Sequence, residues 1–113
     1  MHEIGVLEEA VRTVERIAKD KQIDKIRFVT LEIGELTGYL PVFFEKYFPV
    51  IVENRPALHN AELHMQIVKG EAICTECQSL YNVIKNEGCC PSCKSRSKKI
   101  LGGQEFLIKD IGY

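Results

Sequence analysis

Between Ile4 and about Lys21 the apolar residues Ile4, Leu7, Val11, Val14 and Ala18 recur at steps of three and four, with Glu8, Arg12, Glu15, Arg16 and Lys19 between them. That period belongs to an amphipathic helix with one apolar stripe. The period then changes. From Ile26 to Gly34, Val29, Leu31 and Ile33 share one face and Thr30 and Glu32 the other, which predicts a half-buried strand. Gly34-Glu35-Leu36-Thr37-Gly38 supplies turn residues, and Pro41 opens a second helix carrying Phe43, Phe44, Tyr47, Phe48 and Ile51. Pro49 lies about two turns into it and removes a backbone hydrogen bond. This helix is therefore expected to end near Phe48, or to kink before Val50 to Glu53.

Alternation returns at Leu63, Met65 and Ile67, set between Glu62, His64 and Gln66, and a third strand is predicted over Glu105 to Ile111. Too little chain follows that last strand for a core of its own, so it is expected to return to the first domain's sheet. The predicted fold class is α+β: a small mixed sheet of about three strands with two helices, plus an inserted zinc-ribbon-like module hanging from two neighbouring strands. The domain reading is residues 1–70 plus 100–113 for the α/β body and 71–99 for the module. There is no internal repeat beyond the paired cysteine knuckles.

Composition narrows the class. At 113 residues the chain fits one compact domain, or a modest core with a small module that needs its own staple. With 45% hydrophobic residues and a net charge of -1, neither disorder nor a polyanionic partner is indicated. The first residues lack the basic patch and apolar run of a signal peptide, and no apolar stretch is long enough to span a bilayer. A cytoplasmic protein is expected, and in a reducing compartment thiols persist as ligands, catalytic groups or free thiols rather than disulfides.

All five cysteines lie between Cys74 and Cys93. Cys74-Thr75-Glu76-Cys77 and Cys90-Pro91-Ser92-Cys93 are two C-x-x-C pairs separated by twelve residues, spacing that suits two tight knuckles around one tetrahedral zinc. Lys94, Arg96, Lys98 and Lys99 follow the second knuckle, where they offset the negative charge of a four-thiolate centre. Cys89 is the leftover, since adjacent residues rarely reach one ion together. A thioredoxin-like role fits poorly, because it uses one C-x-x-C at a helix start rather than two pairs facing each other. Four cysteines alone leave an iron–sulfur cluster open.

The N-terminus offers a different donor set. The amine of Met1, the amide nitrogen of His2 and the His2 imidazole Nδ1 close two fused chelate rings. The Glu3 backbone nitrogen or carboxylate is available as a fourth donor, giving the tetragonal N,O environment that suits Ni(II) or Cu(II). Taken alone, a histidine near a terminus is most often a solvated side chain. His59 and His64 read as surface residues.

The layout as a whole resembles the HypA/HybF nickel metallochaperones. The resemblance rests on Met1-His2-Glu3 opening a helix, Ile33-Gly34-Glu35-Leu36-Thr37-Gly38, the two knuckles, and Gly103-Gln104-Glu105-Phe106 near the end. It implies a non-catalytic protein that carries Ni(II) as cargo to the large subunit of nickel–iron hydrogenase, in cooperation with the GTPase HypB. His2 is then the principal nickel ligand, assisted by Met1 and Glu3, while Cys74, Cys77, Cys90 and Cys93 hold a structural Zn(II). Urease maturation, through a urease accessory protein, and self-association into a homodimer belong to the same expectation. Lys94, where the family commonly has glycine, and Pro49 depart from the pattern, and neither is a proposed ligand. The competing reading is a zinc-ribbon module binding nucleic acid or protein. Against nucleic acid stand the single aromatic Tyr81 between Glu71 and Lys99 and the lack of net basic charge. An enzyme ranks third, because a four-thiolate zinc has no open position and no nucleophile–base pair is apparent.

Overall fold

A computed structural model describes residues 2–113, with His2 described in its backbone only. Helix α1 (His2–Asp20) places Glu3 in its first turn and Lys19 in its last, each of the sign that complements the helix dipole. Leu7, Ala10, Val11, Val14 and Ala18 are its buried stripe. The helix stops where Gln22 turns left-handed at φ 56°, letting the Ile23 amide bond the Ala18 carbonyl at 2.8 Å and close the last turn.

Strand β1 (Phe28–Gly34) buries Val29, Leu31 and Ile33 as their alternation predicts, and a short 3-10 turn, Glu35–Thr37, follows it. Helix α2 (Pro41–Val52) then continues through Pro49, so the expectation that it ends near Phe48 is corrected. Phe44, Phe48 and Val52 fall one turn apart on a single buried face, while Pro49 and Glu45 point to solvent. An interior proline costs about 3 kcal/mol. Fully burying Phe48 and Val52 contributes about 1.5–3 kcal/mol each, and water can satisfy the freed carbonyl on the exposed side.

Strand β2 (Glu62–Val68) and strand β6 (Phe106–Gly112) lie on either side of β1 in the order β2-β1-β6. Arg27 meets Gly112 while Gly34 meets Glu105, so β6 runs antiparallel to β1. Glu62 donates to Arg27 at one end and Gly70 to Glu35 at the other, so β2 runs parallel to it and the sheet is mixed. The strands that bracket the cysteine region are therefore the two edges of this sheet rather than neighbours. That corrects the sequence-based picture, and the reason is that β1, first in the chain, takes the central place.

The cysteine region carries a second three-stranded sheet that the hydrophobic pattern does not reveal. It comprises β3 (Glu71–Cys74), β4 (Leu80–Asn82) and β5 (Lys98–Gly102) in the order β4-β3-β5, antiparallel throughout. The chain divides into two compact units. One comprises Met1–Glu32, Tyr39–Gln66 and Leu107–Tyr113; the other comprises Ile33–Gly38 and Ile67–Phe106. Helix α1 packs on α2 in the first unit, where Arg55 also pairs with Glu15.

Within the second unit the Gly34–Gly38 segment is an anchor as well as a turn. Gly34, Gly70 and Gly103 approach one another so closely that a Cβ on Gly34 would lie 2.2 Å from the Gly103 carbonyl oxygen, and one on Gly103 2.6 Å from the Gly70 Cα. Beside them the Glu35 carboxylate accepts from the Gly70 amide at 2.9 Å and from Asn82 Nδ2 at 3.1 Å. Those two bonds hold its ionisation below the usual carboxylate range. Among the described residues no helix is long and apolar enough to cross a membrane.

Candidate metal centre

The two C-x-x-C segments form matching knuckles. In the first, the Gln78 amide bonds the Cys74 carbonyl at 2.9 Å, and the Cys74 amide bonds the Ser79 carbonyl at 2.9 Å. In the second, Lys94 bonds the Cys90 carbonyl at 2.8 Å and Cys90 bonds the Ser95 carbonyl at 2.9 Å. The residue after each second cysteine is left-handed, Gln78 at φ 67° and Lys94 at φ 68°. That conformation turns the chain back so that the following amide reaches the sulfur: the Ser79 amide bonds Cys77 and the Ser95 amide bonds Cys93. Two hydroxyl contacts tie the knuckles together, Thr75 with Ser97 at 2.5 Å and Ser79 with Ser92 at 3.2 Å.

Lys94 therefore keeps the turn that a glycine would make, at the cost of holding an L-residue in a left-handed backbone. Such strain is about 1–2 kcal/mol per residue. A glycine also loses more freedom on folding, by about 0.4–1 kcal/mol. Lys94→Gly is thus expected to leave the metal-binding capacity of the cysteine set unchanged and to stabilise the metal-loaded protein by up to about 1 kcal/mol, read by chemical denaturation. A loss of stability would show that the lysine side chain contributes more than its backbone costs.

The knuckles bring the sulfurs of Cys74, Cys77, Cys90 and Cys93 within 4.8 Å of one another. Two cross-knuckle pairs, Cys74 with Cys93 and Cys77 with Cys90, are 3.5 Å apart. A tetrahedral ion with bonds of about 2.3 Å needs sulfurs roughly 3.8 Å apart, so this donor set fits a single zinc of all-thiolate coordination. Cys74 and Cys90 are buried and Cys77 and Cys93 exposed. Cys89 stands outside the group, half-buried, with its amide on the Asn86 carbonyl.

The thiols do not share protons evenly. Ser79 hydrogen-bonds the Cys77 sulfur through its hydroxyl and its amide, pulling the thiol down to about 6. At Cys93 the Ser95 amide pulls the same way, but the neighbouring cysteines and burial outweigh it and push that thiol up to about 12. Cys77 thus takes on negative charge more readily than Cys93, and a metal entering the set displaces the thiol protons that remain.

The N-terminal donor set falls largely outside the described residues: Met1 does so entirely, and so does the side chain of His2. Glu3 is half-buried, and the Leu40 amide donates to its carboxylate at 3.4 Å. That places Glu3 at the start of α2, whose N-cap Leu40 has no capping side chain of its own. His59 and His64 are exposed and lie outside the sulfur group, His64 stacking on Phe28 with ring centroids 4.9 Å apart. The hydroxyls of Ser79 and Thr75 and the anchor residue Glu35 escaped the sequence reading. Ser79 and Ser95 carry one usable signal, since each stands two places after the second cysteine of its knuckle.

A family model described as HypA, hydrogenase/urease nickel incorporation, metallochaperone, matches residues 1–113. The hydrogenase maturation factor HypA of Caldanaerobacter subterraneus subsp. tengcongensis is 33% identical over 112 residues, covering 99% of this chain and 90% of that protein. That of Alkalilimnicola ehrlichii is 32% identical, covering 98% and 97%. The solution structure of the nickel metallochaperone HypA from Helicobacter pylori matches with a TM-score of 0.68 at 25% identity, over 97% of this chain and 95% of that one. A second HypA solution structure matches at 0.70 and 26%, over 99% and 95%.

Proposed function

Because the chain belongs to the HypA family of metallochaperones for hydrogenase/urease nickel incorporation, we propose that it binds Ni(II) through Met1, His2 and Glu3 and delivers it to the large subunit of nickel–iron hydrogenase. The role of the family is accessory and non-catalytic. The amine, the His2 amide and the His2 imidazole supply three nitrogens near one plane, and Glu3 supplies the fourth donor. An open tetragonal set of this kind exchanges ligands with an acceptor more readily than a closed thiolate shell. Cys74, Cys77, Cys90 and Cys93 hold a structural Zn(II). The GTPase HypB is the partner in delivery, and the cytoplasm is the compartment in which reduced thiols and hydrogenase precursors meet.

The observation that carries this reading is the extent of the family match, which runs from residue 1 and takes in Met1-His2-Glu3 together with both knuckles. The test is nickel calorimetry on native protein, on His2→Ala and on a form extended before Met1. Native protein is expected to bind one nickel, and the other two to bind it at least about tenfold more weakly, a difference of about 1.4 kcal/mol. Equal affinity in all three defeats the N-terminal site.

A further inference from the structure

Strand β4 ends at Asn82, and residues 83–89 carry the chain on to Cys90 through a run of turns. The run has little apolar packing of its own. Val83 rests against the buried cluster of the second unit, which comprises Ala72, Cys74, Tyr81 and Cys90, while Ile84 is exposed. Glu87 at φ 53° and Gly88 at φ 78° are both left-handed. Order here comes from hydrogen bonds, and three of them end on Asn82. Its carbonyl accepts from the Asn86 amide at 3.2 Å and from Asn86 Nδ2 at 2.8 Å, and its side-chain Oδ1 accepts from the Lys85 amide at 2.8 Å. The Asn86 carbonyl in turn accepts from the amide of Cys89, the residue before Cys90, at 3.0 Å.

The Asn82 side chain is held from its other end by Glu35. One carboxylate oxygen of Glu35, Oε1, accepts from Asn82 Nδ2 at 3.1 Å and from the Gly70 amide at 2.9 Å. A carboxylate only accepts and a backbone amide only donates, so one orientation of the Asn82 side chain serves Glu35 and Lys85 together. The bonds from Gly70 and Asn82, with the charge of Lys69, favour the ionised, accepting form of Glu35. Glu35 lies in Ile33–Gly38, which is part of the second unit although the chain on either side of it belongs to the first. The Gly34 amide bonds the Glu105 carbonyl at 2.8 Å and the Leu36 amide bonds the Gly103 carbonyl at 2.7 Å, so the backbone of Glu35 is pinned on both sides.

We propose that Glu35 is a positioning residue for the metal centre, acting through Asn82 to hold the turns of residues 83–89 in the form that brings Cys90 and Cys93 to the other two sulfurs. The proposal rests on the reading of Cys74, Cys77, Cys90 and Cys93 as zinc ligands. The first knuckle lies between the paired strands β3 and β4, whereas the second has β5 on one side only and this run of turns on the other. The relay therefore bears on the half of the site with less support from strands. Holding that half in place before the metal arrives removes ordering that binding would otherwise have to supply. Outer partners of metal ligands change affinity by about 10–100-fold, and Glu35 acts several bonds further out, which puts its effect at the lower end.

The test exchanges the two facing groups in the full chain, with zinc affinity measured by competition with a chelator, the absorption spectrum of the cobalt-substituted protein, and chemical denaturation with and without metal. Asn82→Asp sets a second carboxylate against Glu35 while keeping an acceptor for Lys85. Zinc affinity is expected to fall about tenfold, and the sulfur-to-cobalt bands should shift. The double variant Glu35→Gln with Asn82→Asp restores a donor facing an acceptor, now reversed. It should return affinity to within about threefold of native and the bands to their native position. Glu35→Ala removes the support without adding a charge and should also weaken zinc about tenfold. Native affinity in Asn82→Asp or in Glu35→Ala overturns the proposal, as does a double variant that binds no tighter than Asn82→Asp alone. An equal loss of stability in the metal-free and loaded forms of Glu35→Ala overturns it too, because a purely structural bond produces that result. If native protein binds no zinc, or Cys90→Ala binds it as tightly as native, the ligand reading fails first and takes the proposal with it.

Discussion

Cys90→Ala is expected to lose its zinc and with it the folded state of Glu71–Gly102, while α1 and α2 stay folded. Cys90 is fully buried, its sulfur lies 3.5 Å from that of Cys77, and its amide and carbonyl both hold the second knuckle closed. The cluster it belongs to is four residues with two at the margin, too few to order three short strands without a staple. Metal binding in small zinc modules contributes about 10–16 kcal/mol of folding free energy, far more than this cluster can replace. The first unit has its own core in Leu7, Val11, Val14, Phe44, Phe48 and Leu58 and does not depend on the cysteines. Zinc analysis with limited proteolysis checks this, with cleavage expected inside residues 71–102 and protection over residues 4–52. Cys89→Ala serves as the control and should retain stoichiometric zinc. Retention of zinc by Cys90→Ala removes Cys90 from the shell, and loss of zinc from Cys89→Ala puts Cys89 in it.

What could be read in advance followed the range of the signal. The α1 stripe and the alternation of Val29, Leu31 and Ile33 are local, so periodicity alone revealed them. The C-x-x-C pairs are local too, and their spacing alone singles out Cys74, Cys77, Cys90 and Cys93 as one donor set. Helix α2 runs past Pro49 because the one backbone bond a proline removes is a local loss, whereas Phe48 and Val52 share a buried face with Phe44 that depends on the rest of the fold. Strands β3 and β4 were invisible for another reason. They are four and three residues long, one ends in a cysteine, and Leu80 is exposed, so no alternation survives to be counted. The left-handed Gln78 and Lys94 carry no glycine or asparagine to announce them. Glu35 looked like a turn residue because its partners Gly70 and Asn82 lie 35 and 47 positions away.

His2→Gln is expected to fold, keep its zinc and fail in nickel insertion. In the proposed site His2 supplies two of the three nitrogens, its amide and its imidazole, and the imidazole closes the second of the two fused rings. Glutamine leaves the amide in place but offers a neutral, weakly basic side chain that does not close that ring well. Affinity should fall by about 100-fold or more, at or beyond the upper end of the effect of losing an outer partner, because a ligand itself is removed. Folding should be indifferent to the change, since the buried stripe of α1 begins at Leu7 and the sulfur cluster lies in the other compact unit. Docking to the GTPase partner should also survive, which separates this variant from Cys90→Ala, where an unfolded segment removes several properties at once. The measurement is hydrogenase activity in a deletion strain complemented with each variant, at limiting and at excess nickel. His2→Gln should give near-background activity at limiting nickel and recover with excess, because mass action replaces affinity. Full activity from His2→Gln at limiting nickel would remove the N-terminal chelate from the delivery route and bring the zinc-ribbon binding reading forward.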